Sequence, residues 1–125
     1  MDRTLRILAV DNEPSVALSM RYIFAGSGFE FTHVENGIDA LARLDADASS
    51  YDVIIVDQKM PQLSGVELVG AIRQRGISSK IIVVSADVSS ELRQAYERMD
   101  VHVILGKPFD VATLRAAVAD VTVPA

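Results

Sequence analysis

Cysteine is absent from the sequence. Disulfides, thiolate metal sites and a cysteine nucleophile are therefore excluded, and the composition is compatible with a reducing compartment. Basic residues are few: 12 Lys and Arg stand against 17 Asp and Glu, a formal net charge of −5. Binding a phosphate backbone needs a basic patch, so this balance argues against nucleic acid as a direct partner. Long apolar runs are missing too, since none approaches the roughly 18 residues of a membrane span. The start, MDRTLRILAV, has neither a long apolar region nor a small-residue cleavage site, so no signal peptide is expected. Internal repeats, low-complexity tracts and linkers are also lacking, and with so short a tail as TVPA no second domain is expected in this chain. The expectation is one soluble, cytoplasmic domain over residues 1–125, with its core at about 5–121 and no membrane partner.

Apolar residues make up half of the chain, enough for a core without staples. They fall in short runs that alternate with helical patterns. Strands are expected at Leu5–Val10, Phe29–Val34, Asp52–Val56, Lys80–Ser85 and Val101–Leu105. The mixed polarity of FEFTHV suits a sheet edge, whereas the uniform run Val53–Val56 suits a strand covered on both faces. A first helix begins at Asn12 or Glu13 before Pro14, with Val16, Met20, Ile23 and Phe24 inward. A second opens at Asn36-Gly37, with Ile38, Leu41 and Leu44 inward. Ser64 caps a third, carrying Val66, Val69 and Ile72 until Gly76. Val88, Leu92, Ala95 and Met99 form a fourth apolar stripe, and Asp110 begins a fifth helix with Val111, Leu114, Val118 and Val121 inward. Strict alternation of five strands and five helices implies an α/β fold, a parallel sheet with helices on both faces.

In such sheets, sites form outside the carboxyl ends of the strands. Asp11, Asn12 and Glu13 lie at the end of the first strand, Asp57 at the third, Ser85 at the fourth and Lys107 just beyond the fifth. Close carboxylates repel unless a cation lies between them. Oxygen ligands of this kind favour magnesium, which takes few protein ligands and keeps several waters. An added lysine and hydroxyl suit a phosphoryl group, with Asp57 as a carboxylate nucleophile forming an acyl phosphate. Any one of these residues alone reads as structural; together they read as a site. His33 and His102 lack partners at ligand spacing and read as structural.

The segments ILAVDNEP, IIVDQKMPQLSG, IIVVSA and LGKPF, in that order and spacing, resemble the receiver domain of two-component response regulators over about Leu5 to Val121. The resemblance implies a (βα)5 doubly wound, flavodoxin-like three-layer sandwich with strand order 2-1-3-4-5. It implies Mg2+-dependent phosphorylation of Asp57 by a sensor histidine kinase or a histidine phosphotransfer protein. The output is then a switched protein–protein interaction, and not turnover of a substrate as in an enzyme. By the same resemblance Asp11, Asn12, Asp57 and the backbone carbonyl of Lys59 are the metal ligands. Ser85 is the switch hydroxyl, Ala86 the small residue beside it, and Lys107 the pocket lysine, joined to Pro108 by a bond that is commonly cis. A downstream protein is implied but not identified, and a homodimer through the helix 4–strand 5–helix 5 face is one route open to it.

Two departures from the family pattern and one further pair stand out. The second pocket acid, usually aspartate, is Asn12, so weaker magnesium binding is expected unless Glu13 turns inward; its place before Pro14 favours a helix-start role instead. The usual aromatic switch position, three before Lys107, is Ile104, which leaves coupling altered or carried by packing. Lys59 and Asp87, each two places beyond a site residue, are expected to pair over the pocket mouth and slow hydrolysis. Two rivals remain. An aspartyl phosphatase or mutase needs a second aspartate two residues after the first, where this chain has Lys59. A receiver-like interaction module that is never phosphorylated is the alternative that Asn12 and Ile104 keep open.

Overall fold

The computed structural model describes residues 4–26, 28–47, 51–87, 89–101 and 103–122. The strands are β1 (Leu5–Val10), β2 (Phe29–Val34), β3 (Val53–Asp57), β4 (Lys80–Ser85) and β5 (Val103–Gly106). The helices are α1 (Pro14–Ile23), α2 (Gly37–Asp47), α3 (Gly65–Gln74), α4 (Ser90–Glu97) and α5 (Val111–Thr122). All strand pairs are parallel, in the order β2-β1-β3-β4-β5, the doubly wound flavodoxin-like arrangement.

Period-two alternation divides the strand side chains between two cores. Leu8, Val10, Ile54, Val56, Ile81 and Val83 pack beneath α2, α3 and α4. Ile7, Ala9, Val53, Ile55, Ile82 and Val84 pack against α1 and α5, chiefly Met20, Ile23, Phe24, Leu114 and Val118. Every residue of β3 is buried, which explains its uniform apolarity up to Asp57. Each such Val or Ile side chain removed from water contributes roughly 1.5–3 kcal/mol before entropy is counted.

Several elements differ from expectation. β3 runs from Val53 and ends on Asp57 itself, while the Asp52 carboxylate accepts from the Arg6 amide at 2.9 Å. β5 starts later, at Val103; Val101 is buried ahead of it and His102 lies outside the described residues. Ile38 and Val111, expected inward, are exposed, because Ala40, Leu44, Leu114, Ala117 and Val118 form the buried faces of their helices. The α4 stripe holds only in part: Leu92 and Met99 pack half-buried against the core. Val88 lies outside the described residues, Ala95 is half-buried, and the helix ends before Met99, so Tyr96 becomes its one buried residue.

Helix ends follow the local sequence. Ser64 and Glu67 form a reciprocal capping box at α3, and Gly76 (φ +72°) ends the turn after it in the left-handed region. Asp110 Oδ1 accepts from the Thr113 amide at the start of α5. Far from the carboxyl rim, the Arg73 guanidinium donates to the carbonyls of Ile77, Ser79, Met99 and Asp100, fastening α3 to the chain that enters β4 and β5. No helix among the described residues is long and apolar enough to cross a membrane.

Candidate functional site

The same alternation brings the polar residues together. Ile7, Ala9 and Asp11 share one face of β1, as do Val53, Ile55 and Asp57 on β3, and Val103, Leu105 and Lys107 along β5 and just past it. With Ile7 opposite Val53 and Ala9 opposite Ile55, both aspartates surface at the same rim. The Asp11 amide donates to Val34 O at 3.2 Å, and the Lys107 amide donates to Ser85 O at 2.9 Å, extending the ladders beyond the strands. His33 Nε2 donates to Asp11 O at 2.8 Å, so the histidine read as structural fixes the backbone of a site residue. The Lys107–Pro108 bond is cis, as the resemblance implied.

One ammonium holds three carboxylates. Lys107 Nζ lies 3.0 Å from Glu13 Oε1, 3.2 Å from Asp57 Oδ1 and 3.5 Å from Asp11 Oδ2. Asp11 and Asp57 are 0% and 2% exposed. Asp11 Oδ1 accepts from the Glu13 amide at 2.8 Å, and Asp57 Oδ1 from the Lys59 amide at 3.3 Å. The second oxygen of each, Oδ2, is buried and accepts no hydrogen bond. Burial pushes the Asp11 carboxyl above its usual range, against the pull of the Glu13 amide. Burial also draws the Lys107 ammonium down, but the Glu13 bond and the two aspartate charges outweigh it and raise its pKa. Buried charges stripped of water demand partners, so two buried carboxylate oxygens that accept no hydrogen bond, only one of them facing Lys107, fit a hard cation.

Glu13 combines the expected helix-start role with a turn of its side chain toward the site. It does start α1, as the residue before Pro14, but its side chain makes no cap hydrogen bond and turns to Lys107. Asp11, Glu13 and Asp57 each offer an oxygen, all within 4.8 Å of one another. Asn12 is exposed and lines a neighbouring hollow with Arg21, His33 and Glu35.

The opposite sheet face carries a second group. Ser85 follows Ile81 and Val83, and Gln58 follows Ile54 and Val56. Together with Lys59, Ala86 and Asp87 they line a hollow beside Asp57. Ser85 Oγ accepts from the Asp87 amide at 3.0 Å, and Asp87 Oδ1 accepts from the Ser89 amide at 2.9 Å. The expected Lys59–Asp87 pair is therefore not formed: the carboxylate is engaged in the turn leading to α4. Tyr96, also unforeseen, is wholly buried and its hydroxyl donates to Gln58 Oε1. Gly65 makes room for this bond, since a Cβ there would collide with the tyrosine hydroxyl and lie 2.8 Å from Gln58 Cα. Ile104 packs half-buried against the same core.

The family model described as the response regulator receiver domain matches residues 7–119. The chain belongs to the response regulator receiver domain family. It is 29% identical over 128 residues to the sensory/regulatory protein RpfC of Xanthomonas campestris pv. campestris, covering 97% of this chain but only 17% of that protein's length. It is 23% identical over 113 residues to sporulation initiation phosphotransferase F of Bacillus subtilis, covering 90% of each. Among solved structures, Vibrio cholerae chemotaxis protein CheY4 superposes with a TM-score of 0.87 at 28% identity, over 95% of this chain and 99% of that one. Receiver domains are signalling modules of two-component phosphorelays; they work with histidine kinases or phosphotransfer proteins and bind magnesium in an acidic pocket.

Proposed function

We propose that this receiver domain accepts a phosphoryl group on Asp57 in a magnesium-dependent reaction and thereby switches its protein contacts. The observation that carries the reading is the Lys107 ammonium set between Asp11 and Asp57, with one buried oxygen of each aspartate accepting no hydrogen bond. An Asp57 oxygen attacks the phosphorus of a phosphohistidine on a sensor kinase or phosphotransfer protein. The O–P bond forms as the N–P bond breaks, and the departing imidazole nitrogen keeps the electron pair and takes a proton from solvent. Asp11 and Asp57 would hold magnesium, which would supply positive charge to the phosphoryl oxygens. Lys107 supplies a second positive charge, and Ser85, on rotating away from its turn, supplies a hydrogen-bond donor. The Lys59 carbonyl follows Asp57 closely enough in the chain to serve as a neutral ligand. A cytoplasmic setting suits such a donor.

The test is incubation with a small acyl-phosphate donor and magnesium, followed by intact mass. Gain of one phosphoryl group, lost in Asp57→Asn and on chelation, is the expected result. An unmodified wild-type chain would leave the interaction module that is never phosphorylated, and sustained donor consumption without labelling would point to an enzyme.

A further inference from the structure

We infer that Glu13, and not Asn12, is the second acid of the magnesium site, a role that rests on the reading proposed above. Three observations converge on it. Glu13 stands two residues after Asp11, and its side chain is released from helix capping: Pro14 already occupies the first turn, and no backbone amide of α1 is bonded to the carboxylate. That carboxylate reaches inward to Lys107 Nζ at 3.0 Å, the same nitrogen that faces Asp57 and Asp11. The two buried aspartate oxygens without hydrogen bonds, Asp11 Oδ2 and Asp57 Oδ2, belong to the same group.

The spacing suits a small octahedral cation. Ligands at about 2.1 Å place neighbouring oxygens roughly 3 Å apart and opposite ones roughly 4.2 Å apart. The three carboxylates lie within 4.8 Å of one another, so modest rotation of the longest side chain, Glu13, closes the set directly or through one coordinated water. Asn12, exposed like Glu13, offers only a neutral oxygen and lines the adjoining hollow with Asp11, with no bond to Lys107. Glu13 thus restores the negative charge lost where the pattern's second aspartate is asparagine. Until a cation arrives it is held by Lys107, and binding transfers it from the ammonium to the metal.

The experiment is a magnesium titration at fixed pH and ionic strength, followed by amide shifts of residues 10–13 and 57–59 and by the Glu13 side-chain carboxyl carbon. Wild type is compared with Glu13→Gln, Glu13→Asp and the control Glu35→Gln; thermal unfolding without metal checks that each variant is folded. Loss of one charge beside a divalent ion weakens binding by about tenfold in Glu13→Gln. Glu13→Asp weakens it similarly, because the shorter acid no longer spans the gap and is itself a favoured helix cap. Glu35→Gln, which removes the same charge from the adjoining hollow, changes affinity less than about twofold.

A wild-type Glu13 carboxyl carbon that shifts with magnesium supports ligation. Unchanged affinity in Glu13→Gln overturns the inference while leaving the phosphoacceptor reading intact. Full affinity in Glu13→Asp also overturns it, since charge would then act without reach. No magnesium binding by the wild-type chain removes the reading on which the inference rests.

Discussion

Lys107 is the residue on which the site turns, because one ammonium compensates three carboxylates, two of them buried. Lys107→Met leaves those charges facing one another. Breaking one side of a buried pair costs several kcal/mol; some solvent reaches this lysine, so about 2–4 kcal/mol is expected near neutral pH without metal. The pH dependence has a definite sign. The Asp11 pKa is raised on folding, so its ionised form destabilises the native state above that pKa, and protonation relieves the strain. Removing the lysine raises the Asp11 pKa further. The stability gap between Lys107→Met and wild type therefore narrows as pH falls through the carboxylate range, which urea unfolding at a series of pH values measures. A gap that widened toward acid would contradict this electrostatic account.

At the scale of elements, α4 and the loop after β3 are joined by one buried polar contact. Among the residues of α4 only Tyr96 is buried, and its hydroxyl meets Gln58, the neighbour of Asp57. Tyr96→Phe keeps the ring but strips Gln58 Oε1 of its donor, costing about 1–2 kcal/mol. Amide exchange should quicken over Ser90–Glu97 more than over α3; uniform acceleration would show that the bond does not secure α4 in particular. Burial also raises the Tyr96 phenol pKa well above its ordinary value, with Asp57 adding to it, so the hydroxyl stays a donor across the working pH range.

Helix α3 carries its own test. Bonds from the Ser64 amide hold the Glu67 carboxyl below its ordinary range. A folded pKa below the unfolded one adds stability that is present above the unfolded pKa and lost as pH falls through the folded pKa. Glu67→Gln is accordingly less stable than wild type near neutrality, and the difference shrinks in acid. Chemical denaturation near pH 7 and near pH 3 separates this from a pH-independent packing loss.

The described residues form two apolar layers on one sheet, with the buried carboxylates Asp11 and Asp57 at one rim. A ligand that binds only the folded form stabilises it by mass action, about 2.7 kcal/mol at a hundredfold excess over Kd. Magnesium at that excess raises the Tm by several degrees near neutrality, and the increment fades in acid as protons compete for Asp11, whose pKa is raised. Differential scanning calorimetry with magnesium, and with potassium at equal ionic strength, distinguishes specific binding from screening.

Much of this architecture could be read along the chain. Alternating apolar runs and helical stripes specified five β–α units, because a strand two-faced in apolar residues has nowhere to go but between helices. The parity of Asp11, Asp57 and Lys107 with the apolar residues two and four places before them also set their common face. Side-chain direction at the loops was decided only in three dimensions. Glu13 reads locally as the residue before a helix proline, and an ammonium 94 residues away draws its carboxylate inward. Tyr96 lies one place off the expected stripe, and it became the buried anchor of α4 because Gln58 and a Cβ-free Gly65 left space for its hydroxyl. Asp87, expected to pair with Lys59, was taken by a backbone amide two residues on. Local pattern determines which elements form and which face the strand residues take; partners distant in sequence determine where a long or polar side chain finally rests.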